Sequence, residues 1–473
     1  MSNLRLYRLG LLAFMLTSLS GCISQAPYKA PNAQISPHWE ASSVSSAKKM
    51  SDLTQWWAQF NDPILSHMIQ QAQENSPTLL KAWAKIEQAR ASYASSISSL
   101  FPSLTGSSSA TRSKDGQISN QHSGSLDASW EIDLFGKLRS ASRAEAARVE
   151  EQQANWHDSR VSLAAEVADD YVQYRSCEML VQTYQHELSS MQKTEQATAL
   201  MVKAGFTAPS DGALARANLA GTQLSLLSQQ KQCDLLVKSL VEVTGIQETE
   251  LRSLLDRQKT KALPVPALFD VSSIPTNMLS NRPDIAVYER EVYATYAKIA
   301  EAQADRYPSL SLSGSISASV GSGVSSSAWS FGPTLSIPVF DAGKKNAALN
   351  SAKAAYVAAV ADYQSQVKSA VSEVEQALVQ LDSIAKQEQS SEMSVQENQR
   401  YFQALYSSWK AGNTNLLDLE SARRSALSAQ LDQISLQTTR VQEWIALYKA
   451  VGGGWQQNSA INRPDKLLKG LKY

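Results

Sequence analysis

Cysteine is scarce in this chain: Cys22, Cys177 and Cys233 are the only three among 473 residues. That excludes a small disulfide-stapled scaffold and a cysteine-based zinc cage. The five histidines, His38, His67, His122, His157 and His186, are scattered, and none sits with cysteine or carboxylates at the spacing of a metal-ligand motif. A nucleophile motif, a phosphate loop and a dinucleotide fingerprint are also missing, so neither an enzyme nor a resident metal or cofactor is expected. Neither sign of charge dominates, with 44 Lys plus Arg against 44 Asp plus Glu, and without a basic tract nothing argues for nucleic acid. Beyond the amino terminus no stretch approaches about 18 consecutive apolar residues, so any membrane crossing would have to be made by strands.

What is present begins with a leader. Residues 1–21 carry Arg5 and Arg8, then an apolar run from Leu9 to Leu19, which is the pattern of a signal peptide and too short for a spanning helix. The ending Leu19-Ser20-Gly21-Cys22 resembles the bacterial lipobox, which implies cleavage before Cys22 and covalent lipid on its thiol. Ser24 in place of an aspartate, by the same resemblance, favours the outer membrane. Residues 22–55, rich in Ser, Ala, Pro and Gln, read as a linker from that lipid.

Four segments alternate strictly. Ser309 to Val320 places serine at every odd position, with Leu310, Leu312, Gly314, Ile316, Ala318 and Val320 between them. Successive side chains of a strand point to opposite faces, so one face is apolar and the other carries hydroxyls. A sandwich strand would alternate in the same way. Residues 329–339, 125–134 and 103–111 repeat the pattern, each near the 9 to 11 residues that a tilted strand uses to cross a bilayer. The four form two hairpins far apart in sequence. Four strands cannot close a barrel, and lipid tolerates no open sheet edge. The expectation is therefore a barrel shared by several chains, with Leu310, Leu312, Ile316 and Val320 facing lipid.

The rest is helical and duplicated. Asn75-Ser76-Pro77 recurs as Asn281-Arg282-Pro283, and Phe101-Pro102-Ser103-Leu104 as Tyr307-Pro308-Ser309-Leu310, both offset by 206. Gly136, Gly205 and Gly245 recur as Gly343, Gly412 and Gly452, offset by 207. Residues 56–262 and 263–455 are thus two copies of helix, hairpin, long helix, turn and helix, with a tail over 456–473. A proline-free run over 137–204 predicts a helix of about 100 Å. In the second copy Tyr356, Val360, Tyr363, Val367, Val371, Val374, Leu378 and Leu381 form a narrow apolar seam with wettable flanks, which suits the wall of a water-filled tube.

Trp130-Glu131-Ile132-Asp133-Leu134-Phe135-Gly136-Lys137, the Asn281-Arg282-Pro283-Asp284-Ile285 segment, Ile337 to Gly343 and the ending Leu447 to Trp455 together resemble the outer-membrane efflux channels of the TolC and OprM type, in the NodT-like lipoprotein branch. The resemblance spans about Trp57 to Trp455. It implies an α+β membrane channel: a homotrimer whose four strands per chain make a twelve-stranded transmembrane β-barrel above a long α-helical periplasmic barrel. It also implies a periplasmic adaptor protein and an inner-membrane pump as partners, in the outer membrane of a Gram-negative bacterium. Export of drugs or small toxic compounds is the expected role. A channel for type I protein secretion is the neighbouring alternative, and a lipid-anchored scaffold without a pore a remoter one.

The resemblance also implies site residues. The turns at Gly205 and Gly412, with Thr207 and Thr414, become adaptor contacts, although glycine serves any tight turn. Leu416, Leu417, Asp418 and Arg424 become candidates for a periplasmic gate. Ser421-Ala422-Arg423-Arg424 stands where the commoner family form has Asp-Ala-Gln-Arg, which puts an identical acidic gate in doubt, and a solvated helix face would account for the same charges. Cys177 and Cys233 lie symmetrically about residue 205, so antiparallel helices turning there would bring them near one another. An oxidising periplasm favours a disulfide over two buried thiols.

Overall fold

The structure is a computed structural model that describes residues 27–32, 39–40, 53–257, 262–266, 282–321, 324–455, 460–461 and 468. The signal segment, Cys22, most of the linker and most of the tail lie outside the described residues. After a 3-10 helix over Leu53–Phe60 come α1 (Pro63–Asn75), α2 (Pro77–Ser98), β1 (Ser103–Asp115), β2 (Gln117–Ile132), α3 (Lys137–Lys203), α4 (Pro209–Thr244) and α5 (Glu248–Asp256). The second pass is α6 (Pro283–Ala304), β3 (Ser309–Gly321), β4 (Val324–Ser336), α7 (Lys344–Lys410) and α8 (Leu416–Ala450). The duplication is exact in length where it matters: α3 and α7 each have 67 residues, α2 and α6 each 22, β1 and β3 each 13.

By compactness the chain separates differently from its repeats. One unit comprises residues 84–154 and 285–366 with the amino-terminal segment to 33, the other residues 34–83, 155–284 and 367–473. Each unit thus draws on both repeats, because a long helix begins in one unit and ends in the other.

The first unit holds the sheet and the helix ends that carry it. Asp133 starts α3, its carboxylate accepting the N–H groups of Leu138 and Arg139 at 3.2 and 3.0 Å. Asp341 does the same before α7, accepting Gly343 N–H and Lys345 N–H at 2.9 Å. These acids meet the orphan donors and positive end of a helix, which gives the repeated Asp and Gly before each long helix a physical purpose. Asp305 ties the two starts together, accepting Lys137 Nζ at 2.7 Å and Lys345 Nζ at 2.6 Å. Burial pushes its carboxyl up, but the two ammonium groups hold it below its ordinary range.

The second unit holds most of the buried apolar residues. Trp56, fully buried, stacks on Tyr448 with ring centroids 5.0 Å apart. Asp62 caps α1 through Ile64 N–H and Leu65 N–H and accepts the Tyr171 hydroxyl at 2.7 Å. Arg282, 6% exposed, forks onto Asp284, pairs with Glu373 at 2.8 Å and donates to Ala450 O at 2.7 Å. It thereby satisfies a carbonyl at the end of α8. The triple glycine that follows packs tightly: a Cβ on Gly453, at φ +55°, would lie 2.6 Å from Val161 Cγ1.

Candidate pore-lining and docking surfaces

The sheet runs β1-β2-β3-β4, antiparallel throughout, and among the described residues no strand pairs with the outer edges of β1 and β4. The register carries the alternation from strand to strand. Leu310, Leu312, Ile316 and Val320 pair with Ile132, Trp130, Leu126 and His122 on one side and with Leu335, Pro333, Trp329 and Ser325 on the other. The opposite face aligns Ser313, Ser315, Ser317 and Ser319 with Ser129, Asp127, Ser125 and Ser123. Hydroxyls bond across it, Ser107 to Ser125 and Ser319 to Ser326 each at 2.8 Å. Ile316 is 66% exposed and Trp329 80%, so this apolar face has nothing of its own chain to cover it. Trp130 differs from Trp329. Its Nε1 donates to Leu100 O at 2.9 Å, fastening β2 to the end of the preceding helical segment.

The helical turns are near copies. Gly205 and Gly412 adopt φ of +77° and +76°, and the following residues, Phe206 and Asn413, donate to Met201 O and Ser408 O at 2.8 and 3.0 Å. That is the Schellman ending, which requires a left-handed residue at this place. A Cβ on either glycine would meet nothing within 4 Å, so both turns present open backbone. Thr207 is half-buried and hydrogen-bonds Asp211, and Thr414 is half-buried before Asn415, which caps α8 by accepting Asp418 N–H at 2.8 Å. Phe206, 83% exposed, was not among the expected contact residues. An apolar ring beside a turn glycine is the signal that would have found it.

The expected gate set divides. Leu416 is 4% exposed and packs with Ala215, Phe402, Trp409 and Leu419, so its side chain belongs to the core of its own chain. Leu417 is 59% exposed. Asp418 and Arg424 are exposed too, but Asp418 accepts Asn415 Nδ2 at 2.8 Å instead of pairing with Arg424. The buried charge is the neighbouring Arg423, 1% exposed. Its guanidinium donates to Ser190 and to Thr194 Oγ1, lies 3.3 Å from Glu420 Oε1 and 3.8 Å from Glu187 Oε1, and covers the Phe402 ring at 4.8 Å. Desolvation outweighs the pull of Arg423 on both acids, raising Glu420 and pushing Glu187 up to about 7. Three helices, α3, α7 and α8, meet at this one cation.

Cys177 on α3 and Cys233 on α4 stand 5.6 Å apart between Cα atoms, their sulfurs joined at 2.06 Å. Val181 and Leu226 bury the bond. In the second copy the corresponding rung carries Ile384 in the core and, one turn along, an ion pair between Arg440 and Glu388 at 2.5 Å.

A strand face of hydroxyls backed by a bare apolar face, duplicated helical hairpins and matched Schellman turns together define a type of chain. Residues 68–245 and 274–453 match the family model described as outer membrane efflux protein. The chain belongs to the outer membrane efflux protein family. Its curated relatives in that family include the antibiotic efflux pump outer membrane protein ArpC of Pseudomonas putida, 28% identical, covering 93% of this chain and 94% of the relative. Nodulation protein T of Rhizobium leguminosarum bv. trifolii is 29% identical, covering 92% and 95%. Among solved structures the outer-membrane channel OprN superimposes with a TM-score of 0.80 at 28% identity over 92% of this chain and all of the other. The Campylobacter jejuni CmeC outer membrane channel gives 0.81 at 24% identity, over 94% and 97%. As an outer membrane efflux protein, the chain has the channel fold that its strand pattern and duplication imply.

Proposed function

We propose that this outer membrane efflux protein is the exit channel of a tripartite pump, a homotrimer that carries drugs or other small toxic compounds to the exterior. The observation that carries the reading is the sheet: four paired strands with one hydroxyl face, one bare apolar face and, among the described residues, unpaired edges at β1 and β4. Joining β4 of one copy to β1 of the next would close twelve strands, an even number within the range of outer-membrane barrels. The serine face would line the lumen, and the face bearing Leu310, Leu312, Ile316 and Val320 would meet lipid. A covalent lipid on Cys22 would add a second attachment to the membrane.

The open turns at Gly205 and Gly412, with Thr207, Thr414 and the exposed Phe206, supply the surface for a periplasmic adaptor, through which an inner-membrane pump would deliver its substrate. Leu417, exposed in the first turn of α8, remains the apolar candidate for the constriction. The channel performs no chemistry in this scheme. Planar-bilayer recordings of the purified protein should show discrete conductance, and deletion of its gene should raise drug susceptibility. A protein without conductance would sink the channel reading. Loss of protein export with unchanged susceptibility would move the assignment to type I secretion.

A further inference from the structure

The charged side chains of the sheet are sorted by sign. Asp115, Asp127 and Glu131 fall on the hydroxyl face, whereas Arg112 and Lys114 fall on the apolar one, at the end next to the β1–β2 turn. β3 and β4 carry no charged residue at all. Arg112 stands opposite Asn120 and Lys114 opposite Ile118. Both cations are exposed, and among the described residues neither is in an ion pair. A solvated hairpin tip would have no reason to keep its acids and bases on separate faces.

Depth explains the placement. On the apolar face Leu310 to Val320 spans ten residue steps, about 34 Å along the strand and about 25 Å along the membrane normal at a tilt of about 40°, the height of an outer-membrane apolar band. Val320 pairs with His122, and His122 with Ala110, so Ala110 stands on β1 within about 6 Å of the outer margin at that tilt. Arg112 and Lys114 follow at the next two positions on that face, about 5 and 10 Å beyond the margin, the first within the headgroup layer and the second at its outer edge. The strand ends joined to the helices lie at the opposite margin, so this layer belongs to the outer leaflet.

We propose that Arg112 and Lys114 form a docking site for a phosphate-bearing, multiply acylated lipid of the outer leaflet, the phosphate held by the two cations and the acyl chains lying on the apolar face below. A guanidinium matches phosphate through two parallel N–H bonds, and a lysine supplies a mobile second charge. Charge complementarity selects this occupant: two unpaired cations directly above bare apolar surface fit an amphiphile with an anionic head. A trimer would present three such sites. The inference rests on the outer-membrane reading, and its failure is separable from the failure of that reading.

The test uses the full-length channel in detergent, titrated with diphosphoryl lipid A, with the same lipid after enzymatic dephosphorylation, and with inorganic phosphate, while thermal stability of the assembled protein is followed. The diphosphoryl form should bind the wild type about 30-fold more tightly than the dephosphorylated form, from about one surface cation's worth of attraction each for Arg112 and Lys114. The R112S/K114S double variant should lose that preference, and R112K/K114R should keep most of it. Equal binding of both lipids to the wild type, an unchanged preference in the double variant, or full displacement by millimolar inorganic phosphate would overturn the proposal. Conductance of the double variant should equal that of the wild type. Were the wild type itself silent in bilayers, the channel reading would fall on that result alone.

Discussion

Replacing Arg423 with methionine removes one buried cation and leaves one buried carboxylate, Glu420, and one half-buried, Glu187. Arg423 is the cation that faces Glu187 and Glu420 directly, with Arg424 acting on Glu420 from farther off. Breaking a buried pair by deleting one partner costs about 3–5 kcal/mol, because the remaining charge has neither water nor counterion. The cost should depend on pH. Burial already raises Glu187 from its ordinary 4.5 to about 7 with the cation in place. An acid raised on folding favours the folded state when protonated, so its contribution is complete below about pH 4.5 and is lost as pH rises through 7. That window is worth about 3 kcal/mol in the wild type, at 1.36 kcal/mol per unit. In the methionine variant the window should widen and move upward. Hydrogen exchange in the α3 and α8 segments around Glu187 and Arg423 reads the local opening free energy. The variant should open several kcal/mol more easily at about pH 7.5, with most of the difference recovered at about pH 5. A loss of equal size at both pH values, or one below about 1 kcal/mol, would refute the buried-charge account.

Other perturbations test separate features. The Cys177–Cys233 bond closes a 56-residue separation, so C177S/C233S should cost about 4 kcal/mol in the chain-entropy account, seen as faster exchange in α3 and α4. Mass spectrometry of unreduced digests should show the two cysteines linked, and finding both alkylated would remove the bond. Leu312→Asp should impair assembly, by about 1–2 kcal/mol per chain for an acid on the lipid face near the inner margin of the band, whereas Ser313→Asp should assemble normally and alter ion selectivity. Equal tolerance of the two would refute the assignment of faces. Gly453→Ala, whose new methyl would meet Val161, should destabilise the second unit by about 1–3 kcal/mol as an overpacked site, measured by thermal melting.

Much of the fold was legible because its signals are periodic and occur twice. Serine at every second position can satisfy only a strand, and a repeat that preserves proline and glycine at fixed offsets marks turns without any knowledge of packing. The seam from Tyr356 to Leu381 is the inward face of α7, with Val367, Val374, Leu378 and Leu381 buried. The site was less legible, for a reason visible at two adjacent pairs. Leu416 and Leu417, like Arg423 and Arg424, differ by one residue, about 100° around a helix, and composition does not say which of each pair points inward. Neighbouring helices decide: Ser190, Thr194 and Phe402 receive Arg423 and leave Arg424 in solvent. Arg282 was visible as a motif, but its bond to Ala450 O spans 168 residues, beyond any local pattern.

The two helical hairpins arose as copies, yet they are stitched by different chemistry at the same height. The first is closed by a covalent bond that only a reductant can open. The second is held by Arg440 and Glu388, a pair about one-third exposed on each side and so weakened by dissolved salt. Dissolved salt therefore weakens the cross-link of the second hairpin, whereas that of the first yields only to a change of redox potential.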